Sequence, residues 1–173
     1  MSNLRLINET EVTSTVSFLD VTDVFSSDYD IYKVTVSNMT TDSTTATALD
    51  GRFITTSGTV NTSTKYHYAH ENLKAETTFT ESKENGVDEI SDMFGQADQS
   101  AEVGSGVAYI YNPYLPIYTY TTFQNTNHLS GNMRGKKGIG VYSDDTIFTG
   151  FRIVAVASDI TSGVVRTYGL RVD

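Results

Sequence analysis

The chain has 173 residues, a net charge of −9 and no cysteine. Without cysteine, disulfides, thiol catalysis and sulfur-ligated metal sites are excluded, and the acidic balance argues against direct nucleic-acid binding, which needs a basic surface. The length favours one domain over residues 1–173 with a sizeable apolar core.

Uncharged polar and aromatic residues dominate the composition. Tyrosine (11 residues) outnumbers phenylalanine (8), tryptophan is absent, and serine and threonine exceed their ordinary usage. Threonine and tyrosine suit the half-buried surface of a strand, whereas the strong helix formers are sparse, so the composition predicts an all-β fold. No apolar stretch is long enough to span a bilayer, and the first residues lack a secretion signal. We therefore expect no membrane insertion and no processing.

The first forty residues predict two or three strands. Residues 1–11 are expected to form an extended N-terminal arm. Residues 10–25 favour one or two short strands, and residues 26–30 favour a turn, because their serine and aspartate side chains can bond to nearby backbone. Residues 29–39 alternate in polarity at every second position, which predicts the clearest strand in this half.

The middle of the chain is less regular. Residues 65–69 and 75–80 favour short strands between turn signals. Residues 84–106 predict a long acidic loop with one small strand, although some of its apolar residues are spaced as on a helical turn.

The last third carries the strongest β signal. Residues 106–125 are rich in tyrosine and contain both prolines, which indicate a bend or a sheet edge because proline cannot donate to a ladder. Residues 128–145 predict a glycine-rich loop. Residues 148–158 and 164–172, joined by a short turn that contains glycine, predict a hairpin. In total the chain favours eight to ten short strands in a single antiparallel β-sandwich that is jelly-roll-like.

Patterns for catalysis and metal binding are weak. His67 and His70 would need further ligands to hold zinc, and we expect both histidines on a polar loop or edge instead. The acidic residues 81–92 lack the ligand spacing of a calcium loop. The chain contains no G-x-S-x-G motif, no phosphate loop and no marked pair of facing carboxylates. It is therefore expected to be non-enzymatic and to need no cofactor or metal.

Two sequence patterns are candidates for surface contacts. In the first, a run of tyrosines offers large contact area with a polar tip. These residues would face the core, contact another subunit or stack on a glycan, and the three alternatives stay open. The second is a basic cluster in the glycine-rich loop, which either meets an acidic neighbour or serves solubility alone. The candidates are Tyr109, Tyr111, Tyr114, Tyr118 and Tyr120 in the first pattern, and Arg134, Lys136 and Lys137 in the second.

Three segments carry a resemblance to a known group of proteins. They are FLDVTDVFSSDYDIYKVTVSNM (residues 18–39), AYIYNPYLP (residues 108–116) and FTGFRIVAVASDITSGVVRTYGLRV (residues 148–172). In this order the segments resemble the strand opening, central element and closing hairpin shared by a group of tailed-phage virion proteins, common in marine and cyanobacterial phages. Together they span most of the chain.

The resemblance implies a β-sandwich module of the kind found in head decorations and tail fibres, often as trimers, and it supplies no catalytic residues. It also implies that Gly150, Gly163 and Gly169 serve turns or close strand approach. Because the longer fibre relatives have an N-terminal adaptor that this chain lacks, a small stand-alone protein is favoured.

We therefore expect a non-enzymatic virion structural protein, a small appendage such as a head decoration. It would form a homotrimer and dock on the major capsid or tail proteins of a particle assembled in the host cytoplasm. The alternative is a tail-fibre or receptor-binding protein that recognises host surface glycan, and a glycan-degrading enzyme comes third.

Overall fold

The computed structural model describes residues 3–99, 103–129 and 132–170. Parts of the predicted arm, acidic loop, glycine-rich loop and last strand fall on residues 1–2, 100–102, 130–131 and 171–173, which lie outside the described residues. The described chain forms twelve strands: β1 (Leu4–Val12), β2 (Phe18–Val21), β3 (Ile31–Thr41), β4 (Thr47–Thr55), β5 (Tyr66–Lys74), β6 (Thr80–Val87), β7 (Gln96–Ala97), β8 (Gly104–Tyr111), β9 (Thr119–Leu129), β10 (Asn132–Tyr142), β11 (Phe148–Ala155) and β12 (Ile160–Leu170).

The strands form two antiparallel sheets. The large sheet has eight strands in the order β1-β12-β3-β8-β9-β10-β5-β6, and the small sheet has four in the order β2-β11-β4-β7. This confirms the prediction of an all-β antiparallel sandwich, with twelve strands in place of the eight to ten expected. Its jelly-roll connectivity stays a prediction. Within the described ranges the chain forms no helix long and apolar enough to cross a membrane.

The core lies between the two sheets. On β3, Tyr32, Val34 and Val36 point inward and are almost fully buried, as the alternation of the sequence predicted. From the small sheet, the ring of Phe151 lies 5.3 Å from that of Phe94. One hydrophobic cluster contains residues of both sheets, and each large side chain that it buries contributes about 1.5–3 kcal/mol.

The predicted C-terminal hairpin is wrong, because its two strands belong to different sheets. β11 pairs with β2 and β4, whereas β12 pairs with β1 and β3. Residues 156–159 carry the chain between the sheets; Ala157 adopts a φ of 56° there, and the Val156 N–H bonds to the Ala48 carbonyl at 3.1 Å. The inward side chains of β11 and β12 thus cover one core from opposite sides, which two strands paired in one sheet would not do.

Two further expectations about extended segments are corrected. Residues 128–145, expected to be a glycine-rich loop, contain the end of β9 and all of β10. β10 pairs with β9 along its whole length and with β5 from Arg134 to Tyr142. The glycines fit a crowded strand: a Cβ on Gly138 would lie 2.6 Å from the Cβ of His70. The N-terminal arm is likewise a strand, since β1 pairs with β12 from Leu4 to Val12.

The predicted acidic loop contains more core than its composition indicates. β6 extends to Val87, a turn follows, and the two-residue strand β7 comes next. Ile90, Met93 and Phe94 of that turn are buried in the core, and none of them lies on a helix. The backbone of this turn bonds along β4, where Ile90 exchanges hydrogen bonds with Gly51 and the Phe94 N–H donates to the Leu49 carbonyl at 3.0 Å.

Close approach of neighbouring chain explains all three glycines that the resemblance singled out. A Cβ on Gly150 would overlap the backbone carbonyl oxygen of Val21. Gly163 has a φ of 142°, and a Cβ on it would lie 2.6 Å from the sulfur of Met39. A Cβ on Gly169 would lie 2.6 Å from the ring of Tyr29. All three positions therefore exclude larger residues, as expected.

Candidate functional site

The outer face of the large sheet is the first candidate, because the small sheet packs only on the inner face. On β8, Ala108 and Ile110 point into the core, so Tyr109 and Tyr111 point to the opposite side. On β9 the same alternation directs Tyr120 outward, and half of its surface is exposed (50%). Three of the five candidate tyrosines therefore lie on one uncovered face.

The register of the large sheet aligns apolar residues across this face. Tyr111 lies opposite Ile31 on one side and Tyr120 on the other. The row continues through Val141 of β10 in one direction and through Leu170 to Leu4 in the other. A second row lies two residues away along each strand, and in it Lys33 and Thr122 alternate with apolar or tyrosine residues. We call the apolar and tyrosine residues of both rows the outer apolar band: Leu4, Leu6, Ile31, Tyr109, Tyr111, Tyr120, Ile139, Val141, Tyr168 and Leu170.

The remaining two candidate tyrosines differ from each other. The ring of Tyr118 is exposed and lies 6.5 Å from that of Tyr120, so it extends the outer apolar band at one end. Tyr114 follows β8 and packs against the hydrophobic core. The structure thus brings four of the five tyrosines together and assigns Tyr114 to the core.

A concave region of about 750 Å³ adjoins the band on the same face. Its floor includes Tyr109 and Ile139, and Phe79, on the connection between β5 and β6, lines one side with 55% of its surface exposed. Gln124 and Glu71 add polar groups to its lining. We call this region the outer groove. Sequence reasoning missed Phe79, because its position depends on how β5 and β6 pair.

The three candidate basic residues do not form one surface, because successive residues of a strand point to opposite sides. Lys137 is exposed on the outer face, where it lies opposite Glu71 in the ladder. Lys136 points inward and forms an ion pair with the carboxylate of Asp92. The Nε and Nη2 of Arg134 bond to Oε1 of Glu76 at 3.0 and 2.9 Å. The predicted basic loop contact is therefore corrected to three strand residues with separate partners.

A cluster of buried ionisable side chains lies between the sheets near Lys136. Its other members are His70 of β5, Asp92 of the turn before β7, and Asp50 of β4. The His70 Nε2 lies 3.8 Å from Asp92 Oδ2, and the Asp92 N–H donates to Asp50 Oδ1 at 2.7 Å. Within the described residues, His70 Nδ1 and Asp92 Oδ1 have no hydrogen-bond partner. We call these four residues the buried polar cluster.

Burial shifts the pKa values of two members of this cluster, lowering that of His70 and raising that of Asp50. Desolvation lowers the pKa of His70, the nearby Lys136 ammonium lowers it further, and Asp92 opposes both. Desolvation raises the pKa of Asp50 to about 8, and the charge of Glu89 adds to the rise. The carboxyl group of Asp50 therefore keeps its proton at neutral pH.

The expectation for the histidines is half right. His67 lies near an edge of the large sheet, where its ring nitrogens contact Asn85 at 3.3 Å and Ser143 at 2.9 Å. His70, expected on a polar loop or edge, is instead buried on the inner side of β5, with its ring stacked 5.7 Å from that of Tyr68. The sequence holds no local signal for this burial, because the partners that cover His70 come from distant strands.

Comparison with known proteins adds no relative: no family model, curated protein or solved structure matches the chain.

Proposed function

We propose that this chain is a non-enzymatic structural protein of a tailed-phage particle, a small surface appendage such as a head decoration. It acts as a homotrimer, docked on the major capsid or tail proteins, and its copies contact one another through the outer apolar band. The band is the observation that carries the proposal, and the resemblance of the three sequence segments supports the assignment to a virion.

The composition of the band favours a protein contact. Contiguous exposed apolar surface on a folded chain is typical of an interaction site, and tyrosine is enriched in interfaces. The charged neighbours of the band differ from each other. The Nε of Arg166 donates to Oε2 of Glu9 at 2.5 Å, whereas Lys33 lies between Tyr168 and Tyr109 in the second row. A second copy can cover the strip without leaving Arg166 unpaired, and it must either leave Lys33 in water or supply an acidic partner for it.

Charge sets the conditions under which the copies associate. Each copy carries a net charge of −9, so association brings like charges together and is weakened by long-range repulsion. Salt screens this repulsion over a Debye length of about 8 Å at physiological ionic strength. We therefore expect the trimer to be more stable at the physiological ionic strength of about 0.15 M than in dilute buffer.

Replacing two central tyrosines tests the contact. Tyr111→Ser with Tyr120→Ser removes two rings from the band and should weaken association about a hundredfold, at about 1.4 kcal/mol for each ring. Both side chains point outward, so the melting temperature of the single chain should change little. Sedimentation equilibrium across a concentration series measures the mass and the dissociation constant.

The matched control is Val156→Ser, which removes an exposed apolar side chain from the connection after β11. It should keep the mass of the native trimer. A native chain that stays monomeric at high concentration would contradict the trimer, and a control that dissociates as readily as the double variant would contradict the band as the contact.

One observation favours a second candidate function, the recognition of host surface glycan by a receptor-binding protein. The outer groove combines the exposed ring of Phe79 and the half-buried ring of Tyr109 with the amide of Gln124 and the carboxylate of Glu71. Aromatic rings pack on the apolar faces of sugars, and a few polar groups orient the ligand within a largely apolar site.

Competition for host cells distinguishes this second function. Purified protein, incubated with host cells beforehand, should block phage adsorption only if the chain binds the receptor. Phe79→Ala should then raise the blocking concentration about tenfold, the effect of losing one well-packed aromatic contact. The tyrosine double variant, which leaves the residues of the outer groove in place, should still block. Unchanged adsorption at saturating protein would exclude this function.

A further inference from the structure

The inner face of the large sheet changes from apolar to polar along three neighbouring strands. At one end of β5, β10 and β9, Tyr66 lies opposite Tyr142, which in turn lies opposite Thr119. Further along, the corresponding row is His70, Gly138 and Phe123. The next two rows contain only polar side chains: Asn72, Lys136 and Asn125, followed by Lys74, Arg134 and Asn127.

These last two rows line a recess of about 200 Å³. The small sheet ends at β7, and Gln96 of that strand forms part of the recess wall. We call this cavity the polar recess, lined on the large sheet by Asn72, Lys74, Asn125, Asn127, Arg134 and Lys136.

The recess concentrates positive charge in an acidic protein. Its three charged lining residues are Lys74, Arg134 and Lys136, and no carboxylate lines it among the residues that the structure describes. The side chain of Lys136 is only 11% exposed. Lys136 and Arg134 are each paired with one carboxylate, Asp92 and Glu76. The net positive charge at the recess is therefore that of Lys74, in a chain that carries −9 as a whole.

The partners of these side chains hold them in position. Asp92 fixes the ammonium of Lys136 from the side of the buried polar cluster, and the Nδ2 of Asn125 donates to the Asp92 carbonyl at 3.0 Å. The Nδ2 of Asn127 donates to the Gln96 carbonyl at 3.4 Å. Each of these amides has a second N–H, so the recess offers fixed donors beside its cations.

The geometry points to the polar recess as a binding site for a small oxyanion, that is, a carboxylate, sulfate or phosphate group. Ammonium, guanidinium and amide N–H groups are the donors that stabilise oxyanions through charge-assisted hydrogen bonds. An oxyanion in the recess also pairs with Lys74, whereas Lys136 and Arg134 keep their carboxylate partners. The site lies on the face opposite the outer apolar band and the outer groove, and it is independent of the proposed function.

Titration with simple anions tests the site. The probes are inorganic sulfate, inorganic phosphate and glucuronate, each against chloride at matched ionic strength, and the readout is the NMR shift of the side-chain amides of Asn125 and Asn127. We expect saturable shifts. Lys74→Gln should weaken binding about tenfold, as the loss of one hydrogen bond to a charged group implies, with an unchanged melting temperature because Lys74 lies at the end of β5.

Lys83→Gln is the matched control, since Lys83 is an exposed lysine on β6 with a side chain 68% exposed and does not line the recess. It should leave the affinity unchanged. Tighter binding of glucuronate would identify a sugar carboxylate as the ligand, and tighter binding of sulfate or phosphate would identify that group. Shifts that never saturate, or an equal loss of affinity in the control, would overturn the site.

Discussion

A chain that ends after Gly163 is expected not to fold. It lacks most of β12, which lies between β1 and β3 in the large sheet and pairs with both. The truncation removes the fully buried Val165 and Thr167. It also leaves the edge of β3 that pairs with β12 without most of its partner strand. At about 1 kcal/mol for each net hydrogen bond, the lost ladder bonds on two sides approach the roughly 5–15 kcal/mol by which a domain is stable.

Deletion of residues 1–10 is the matched control, because it shortens the chain by a similar length at the other end of the sequence. It removes most of β1, which pairs with a neighbour on one side only, and keeps the buried Val12. This variant should melt cooperatively at a lower temperature, whereas the chain that ends after Gly163 should show no cooperative transition by circular dichroism. Cooperative melting of that chain near the native temperature would contradict a central role for β12.

Local sequence patterns predicted most of the strands, because a strand with one buried face needs alternating residues. β3 is the clearest case, since its inward and outward residues were assigned correctly from polarity alone. The composition predicted the all-β class, because threonine and tyrosine suit strands and the strong helix formers are sparse. These features depend on neighbouring residues in the sequence and on no distant partner.

The features that local sequence patterns did not predict depend on the pairing of strands that are distant in the sequence. A short turn between two strands fits a hairpin and also a connection between two sheets, and only the partners of β11 and β12 distinguish these possibilities. Likewise, the sides of the sheet on which Lys136 and Lys137 lie depend on the presence of β10 as a strand. The burial of His70 depends on Asp92 and Phe123, which come from the turn before β7 and from β9.

The two faces of the large sheet have separate roles in this account. Alternation directs Tyr109 and Tyr111 outward to the outer apolar band and Ala108 and Ile110 inward to the core. On β10 the same alternation directs Lys137 to the outer face and Lys136 to the inner one. Substitutions on one face are therefore expected to leave the ligand or partner of the other face unaffected.

Asp50→Asn is expected to stabilise the protein at alkaline pH and to have little effect near pH 4. Asp50 is 2% exposed, and burial raises its pKa from 3.8 to about 8. As pH rises from about 4 to about 8, the unfolded chain releases the proton of Asp50 while the folded chain retains it. The free energy of unfolding therefore falls over this window, by at most about 1.4 kcal/mol per pH unit.

The asparagine replaces the protonated carboxyl group without a charge that can titrate. Its Oδ1 can still accept the Asp92 N–H, which bonds to Asp50 at 2.7 Å, and its amide can donate to Glu89, with which Asp50 shares a hydrogen bond. Urea unfolding of both proteins between pH 4 and 8 should give curves that separate as pH rises and differ by a few kcal/mol at pH 8. Glu84→Gln, at an exposed position of β6, should keep the native pH dependence. Parallel curves for Asp50→Asn and the native protein would show that folded Asp50 carries no proton in this range.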